Sequence, residues 1–461
     1  MSDSPGSPPI LTNEPPDDQR PASSSPPISS PLTPMPDLRD PYAALRFRDF
    51  RLYNMGWIIA VIGEQILEVA VGWDLYQRTH NALTLGWVGL VSAIPVIALA
   101  LPAGHLADRM DRRRIVLVMR VTWGLCALAL AWIAHVAGPI PIIYGMLFVA
   151  AIAKAIGGAA RSAMLPSLVP PEYFPNAINW NSSGFQIAAM TGPAMGGFIL
   201  IFSSTAAYLV SAACAAAFVI ALALMNTRGN AVSREPATLK SLVAGVRFVA
   251  RTRIILAIIT LDLFAVLLGG ATYLLPVFAK DILHIGSFGF GALRAAPALG
   301  AVSMGMLVAH LPPMKRAGRA LLWSVAAFGV ATIVFGLSRN VGLSLVMLFF
   351  TGAFDNISVI VRHTLVQVLT PDSMRGRVSA VNNVFIGASN ELGGFESGLT
   401  ARLFGPITSV VGGGIGTILV VIAVALIWPE VMKFGSLVDA RPMEEVKVGF
   451  EVVVPPEKGG K

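Results

Sequence analysis

The chain has 461 residues, of which 55% are hydrophobic and only 13% charged, against about 25% charged in an ordinary soluble chain. Apolar runs of about 20 residues recur along it, which excludes a string of soluble domains and points to a polytopic membrane protein. The net charge of +8 does not indicate nucleic acid, because the basic residues gather in alternate loops between apolar runs.

Residues 1–40 hold 11 of the 32 prolines, many serines and few large apolar residues. Such a composition buries no core, so a disordered cytoplasmic tail is expected. It lacks the basic start and apolar run of a signal peptide. Residues 41–225 then carry six predicted spans: Leu52–Tyr76, Leu85–Ala103, Ile115–Ala134, Ile140–Ala160, Ala177–Ile201 and Ala206–Met225. A loop follows at 226–253. In it Leu239, Leu242, Val243, Val246 and Val249 alternate with Lys240, Arg247 and Arg251, the pattern of an amphipathic helix on the inner leaflet. Residues 254–428 carry six more spans: Ile254–Ala279, Phe288–His310, Arg319–Leu337, Val341–Val361, Val378–Leu403 and Ile407–Trp428. Residues 429–461 read as a polar cytoplasmic tail. Lysine and arginine are concentrated in the 2–3, 6–7, 8–9 and 10–11 loops, which places those loops and both termini in the cytoplasm.

The halves repeat. Adding 201 takes Arg161 to Arg362, Leu168 to Leu369, Pro170 to Pro371, Asn181 to Asn382, Gly192 to Gly393 and Gly197 to Gly398. Adding 202 takes Gly89 to Gly291, Pro95 to Pro297 and Arg113-Arg114 to Lys315-Arg316. Two parallel six-helix halves are a repeat architecture of secondary transporters, with a substrate site expected near mid-membrane between them.

The 2–3 loop reads GHLADRMDRRR, from Gly104 to Arg114. It resembles the signature loop of the major facilitator superfamily, with Asp111 where that family usually has glycine. Ala160–Gly197 and Gly352–Ala401 are similar to the enterobactin-exporter-like branch of the superfamily. Gly192-Pro193-Ala194-Met195-Gly196-Gly197 resembles the G-P-x-x-G-G motif of proton-coupled exporters. The resemblance implies an all-α fold of twelve transmembrane helices in two pseudo-symmetric bundles. It also implies a conformational latch built on Gly104, Asp108, Arg109, Arg112 and Arg113, pairing across the cytoplasmic ends of the halves. Gly192, Pro193, Gly196 and Gly197 read equally as a close helix contact with a proline kink.

A charge at mid-bilayer costs about +2.5 to 3.5 kcal/mol on insertion scales, so each one needs a partner or a task. Glu64 and Glu68 lie one turn apart on the first span, and suit proton uptake near neutral pH or a polar face satisfied by Gln65 and neighbouring helices. Glu391 continues a polar stripe with Gly387 and Asn383, either lining a cavity or bonding a neighbouring helix. Asp262 reads as an ion-pair member or a substrate contact. Arg294 and Glu396 stand nearer helix ends, where they can snorkel. Lys154 and Asp355 are repeat mates, since 154 + 201 = 355. They either face each other across the central cavity or pair within their own halves, Lys154 then near Glu64 or Glu68. In the family's fourth-span motif the place of Lys154 usually holds arginine, so lysine loses the bidentate fork.

No nucleophile triad, zinc-ligand spacing or phosphate-binding loop is present, so an integral-membrane enzyme is a distant alternative. Cys126 and Cys214 read as packing residues; no cofactor and no metal are expected. The leading expectation is a monomeric secondary transporter of small organic molecules, and the resemblance to the exporter branch implies export, siderophores or drug-like compounds as cargo, and protons as coupling ion. An uptake transporter of the same fold is second. The expected location is the bacterial inner membrane.

Overall fold

The computed structural model describes residues 40–226, 239–312 and 314–435. The expected N-terminal tail, most of the central loop and most of the C-terminal tail lie outside the described residues.

The N-terminal half contains α1 (Arg48–Thr79), α2 (Ala82–Ala98), α3 (Ala100–Arg109), α4 (Arg112–His135), α5 (Ile140–Met164), α6 (Phe174–Ile199) and α7 (Ser204–Ala223). A connecting helix α8 (Leu239–Arg251) leads to α9 (Arg253–Leu268). The same span runs on through a 3-10 turn at Ala271–Leu274, α10 (Leu275–Val277) and a π turn at Phe278–Ile282. Then come α11 (Gly286–His310), α12 (Ala317–Leu337), α13 (Val341–Leu369), α14 (Asp372–Phe404), α15 (Pro406–Ile427) and α16 (Pro429–Lys433). Each predicted span has its helix. Side chains start several of them: Asn81, Ser203 and Asn340 each accept a backbone N–H of the first turn. The second span is broken, α2 and α3 being bent by 53° near Pro95 and Pro102.

Nine helices among the described residues are long and apolar enough to cross a membrane, ten if the bent α2–α3 pair is one span. The helices α6 and α14 are long enough but too polar. They carry Asn179, Asn181 and Gln186, and Asn382, Asn383, Asn390 and Glu391. Both are the helices that join the halves: α6 packs on α11 and α14 on α2.

These two contacts are made by glycines. A Cβ on Gly197 would lie 2.5 Å from the Cα of Gly291, and one on Gly398 2.6 Å from the Cα of Gly86. Gly197 and Gly398 are repeat mates, so the two seams are pseudo-symmetric. All four glycines sit at the helix ends away from the basic 2–3 loop. The apolar core has the same asymmetry. One cluster around Tyr53, Met164 and Phe218 belongs to the N-terminal half, and one around Ile258, Leu321 and Leu365 to the C-terminal half. The third spans both, with Ile66, Tyr208, Phe278 and Phe335, and Trp73 stacked on Phe290 at 5.6 Å between centroids. The halves are therefore welded at the end far from the basic loops.

The connecting helix α8 forms as its pattern predicts. Its face at Gly245 and Val249 packs on α14 and α9, leaving Val243, Val246, Arg247 and Arg251 exposed.

Candidate functional site

Helix α1 brings Glu64 and Glu68 inward on one face, one turn apart. The structure gives Glu64 one cation and Glu68 two. Arg120, from α4, donates to Glu64 at 2.5 Å. Glu68 accepts from Lys154 of α5 at 3.3 Å and from Arg294 of α11 at 3.1 Å. Glu68 thus holds cations from both halves at once. Arg294 also donates to the Thr272 carbonyl at 3.4 Å.

Two chambers surround these ions. The central one, of about 130 Å³, is lined by Glu68, Lys154, Arg294, Tyr273 and Glu391 among apolar residues that include Trp123 and Phe290. The second, of about 230 Å³, lies in the N-terminal half toward the basic-loop end, with Trp57, Glu64, Arg120 and Arg161 in its wall. Trp123 and Lys154 line both.

Glu391 accepts from the Tyr273 hydroxyl at 3.1 Å and has no ion pair among the described residues. Its helix also packs closely, the Glu391 carbonyl lying beside Gly89, so Glu391 both lines a cavity and sits in a seam. Asp262 is elsewhere: it is buried and accepts from Arg362 of α13, lining neither chamber. Of its two sequence readings the structure shows the ion pair. Asp355 is exposed and has no ion pair among the described residues. Lys154 therefore pairs in its own half, with Glu68, and not with Asp355.

The 2–3 loop is held within the N-terminal half. Arg112 is buried and donates to the carbonyls of Ala107 at 3.2 Å and Ala163 at 2.9 Å, with Asp108 at 3.8 Å. Arg113 donates to the carbonyls of Leu222 at 2.9 Å and Ala223 at 3.0 Å, where a cation complements the C-terminus of α7. Arg109 is exposed, and a Cβ at Gly104 would meet nothing within 4 Å. The expected pairing across the halves is absent among the described residues, as fits halves joined at the opposite end. Asp111, the departure from the family pattern, caps α4 by accepting from the Arg113 N–H at 2.9 Å and the Arg114 N–H at 3.3 Å.

Gly192 and Gly196 face α1, close to Gln65 and Ile66, while Gly197 faces Gly291. The kinked motif around Pro193 thereby sets α6 against its own half and the other half together. No grouping of three or more metal-ligand side chains occurs among the described residues.

The family model described as a transmembrane secretion effector matches residues 39–459. The chain belongs to this major facilitator family. The enterobactin exporter EntS of Citrobacter koseri is 25% identical over 388 residues, 84% of this chain and 93% of that one. EntS of Escherichia coli O1:K1 / APEC is 24% identical over the same length. The crystal structure of the nucleoside transporter NupG superposes with a TM-score of 0.65 at 14% identity, covering 82% of this chain and 99% of its own. A bacterial homologue of the human lysosomal transporter Spinster, inward-facing and occupied, gives 0.66 at 13% identity, covering 84% and 97%. The fold of this transporter is that of the major facilitator superfamily.

Three cations of this major facilitator protein escaped the sequence reading of its site: Arg120, Arg161 and Arg294. Arg294 stands eight residues after the start of α11, about 12 Å along the helix, too deep to snorkel back to that end. Depth counted from the helix start was the available signal for Arg294 and equally for Arg120 in α4.

Proposed function

We propose that this chain is a proton-driven exporter of small organic molecules, working by alternating access in the bacterial inner membrane. The observation that carries the reading is Glu68, one carboxylate bound to cations of both halves inside the cavity between them. Protonating Glu68, or exchanging it for an anionic or acceptor-rich substrate group, frees Lys154 and Arg294 and loosens a link between the halves. Glu391, whose partner among the described residues is a neutral hydroxyl, is a second site where a proton can reside. The basic loops support a topology with the joined end outside and both termini in the cytoplasm. The chambers then lie on the cytoplasmic side of the seam, where an exporter takes up its cargo.

The relatives named as enterobactin exporters support a siderophore as the cargo class. Inside-out vesicles test the reading directly. With the lumen made acidic, labelled enterobactin should accumulate inside, and collapsing the pH gradient should stop it. Accumulation that ignores the gradient would remove the proton. Accumulation only in right-side-out vesicles would make the chain an uptake transporter.

A further inference from the structure

Arg161 and Arg362 are repeat mates, 161 + 201 = 362, but their surroundings differ. Arg362 is neutralised by Asp262. Arg161 has no carboxylate within ion-pair distance among the described residues. Its partners are neutral: the Tyr53 hydroxyl at 3.3 Å and the Asn181 amide oxygen at 3.5 Å. Its guanidinium stacks on Trp57, 3.8 Å from the ring centroid.

Around Arg161 the buried groups without a partner are three donors and one acceptor, the Asn54 Oδ1 one turn before Trp57. The Trp57 indole N–H, the Arg161 Nε–H and the Asn181 amide nitrogen are buried without partners, and Trp57 itself is only 7% exposed. Arg120 also stands over the Trp57 ring, 5.5 Å from the centroid, already paired with Glu64. Lys154 is paired with Glu68. Arg161 is thus the uncompensated charge of the second chamber. Arg is suited to oxyanions by its fork and by stacking.

Helix α5 adds the space. Lys154 and Arg161 are seven residues apart, about 10 Å along one helix face. Between them are Gly157 and Gly158, and a Cβ at Gly158 would meet nothing within 4 Å. Gly157 packs on Met119, where an added Cβ would lie 3.1 Å from the Met119 Cβ, so the open part of the wall is at Gly158.

We infer that Arg161 and Trp57 form an anion subsite in the N-terminal chamber, which receives a carboxylate-type oxyanion of an aromatic organic acid. The aromatic body lies over the glycine floor toward Lys154. This deepens the transport reading by assigning a substrate class, and it is read by equilibrium binding, so failure of direction or coupling leaves it standing.

The probes are 2-naphthoate and its neutral amide, 2-naphthamide, titrated by calorimetry onto the full-length protein in nanodiscs. The parent should bind the acid at least tenfold more tightly than the amide, and Arg161→Gln should reduce that preference below threefold. Gly158→Leu places its Cβ where nothing lies within 4 Å and adds bulk to the open wall, so it should abolish binding of both probes with an unchanged melting temperature. Equal binding of acid and amide by the parent overturns the subsite. So does full binding in Gly158→Leu. A preference kept in Arg161→Gln and lost in Lys154→Gln also overturns it, by placing the anion at the central cluster.

Discussion

Arg294 reaches from the C-terminal half to Glu68 in the N-terminal half, with 3.1 Å between Nη2 and Oε2. Lys154 occupies the other oxygen of the same carboxylate. Removing the anion leaves two cations facing each other without it. In a sealed core, breaking such a pair costs about 3–5 kcal/mol; here the Glu68 side chain is 34% exposed, which lowers the penalty. Glu68→Gln should therefore fold but transport roughly tenfold or more slowly, and Arg294→Gln likewise. The double variant should be no slower than the worse single one. Additive losses in flux would show two independent residues.

The carboxylates of α1 and α14 should separate by role. Glu64 and Arg120 are both about nine-tenths buried in their side chains, and Arg120 also lies over Trp57 and Phe218. Glu64→Gln is expected to lower the melting temperature by several degrees, because it strands Arg120. Glu391→Gln should melt like the parent and lose the response of flux to an imposed pH gradient. The reverse pattern would return the coupling role to Glu64, one of the two carboxylates that the sequence offered for proton uptake.

Much of the fold was legible because the bilayer forces it. Each of the twelve runs has its helix, although α6 and α14 are more polar than hydropathy alone requires and several helices, α13 and α14 among them, run past the predicted ends. Which carboxylate meets which cation was not legible, because pairing is decided by helix rotation and tilt. Glu64 and Glu68 share a face in any helix, yet a single turn divides them between Arg120 and the Lys154–Arg294 pair. The repeat misled for Lys154 and Asp355: equal depth does not make two residues neighbours. For Arg161 and Arg362 it gave matching positions, but only the structure shows that one has a carboxylate and the other has none.

Asp262 and Arg362 belong to stability. Both are buried and they line neither chamber. Asp262→Ala should destabilise by about 3–5 kcal/mol, and replacing both with apolar residues of similar volume should recover most of it. The measurement is thermal unfolding in detergent. Unchanged stability with lost transport would make Asp262 a site residue after all.

Asp111 tests the departure from the family loop. Its carboxylate caps two N–H groups of α4. Asp111→Ala should cost about 0.5–2 kcal/mol, whereas Asp111→Gly, the family residue, should cost only a few tenths. Equal losses in the two variants, read from urea unfolding of the purified protein, would mean that the cap is not what Asp111 contributes.

The glycine seam between α6 and α11 should act as the outer gate. A Cβ on Gly197 would lie 2.5 Å from the Gly291 Cα and 2.8 Å from the Ser287 carbonyl oxygen. Both are backbone atoms, so no side chain can turn away, and Gly197→Ala must push the helices apart. That penalty falls only on the state closed at this end, so the equilibrium shifts toward the state open there. Ser92 lines the central chamber and serves as reporter once replaced by cysteine, with Cys126 and Cys214 changed to alanine. Labelling of Ser92→Cys by a membrane-impermeant reagent from outside should rise severalfold in Gly197→Ala. Gly412→Ala, at a helical glycine with nothing within 4 Å of the added atom, should change nothing. Outside labelling that stays at the parent level in Gly197→Ala would make the seam a packing contact that both states keep.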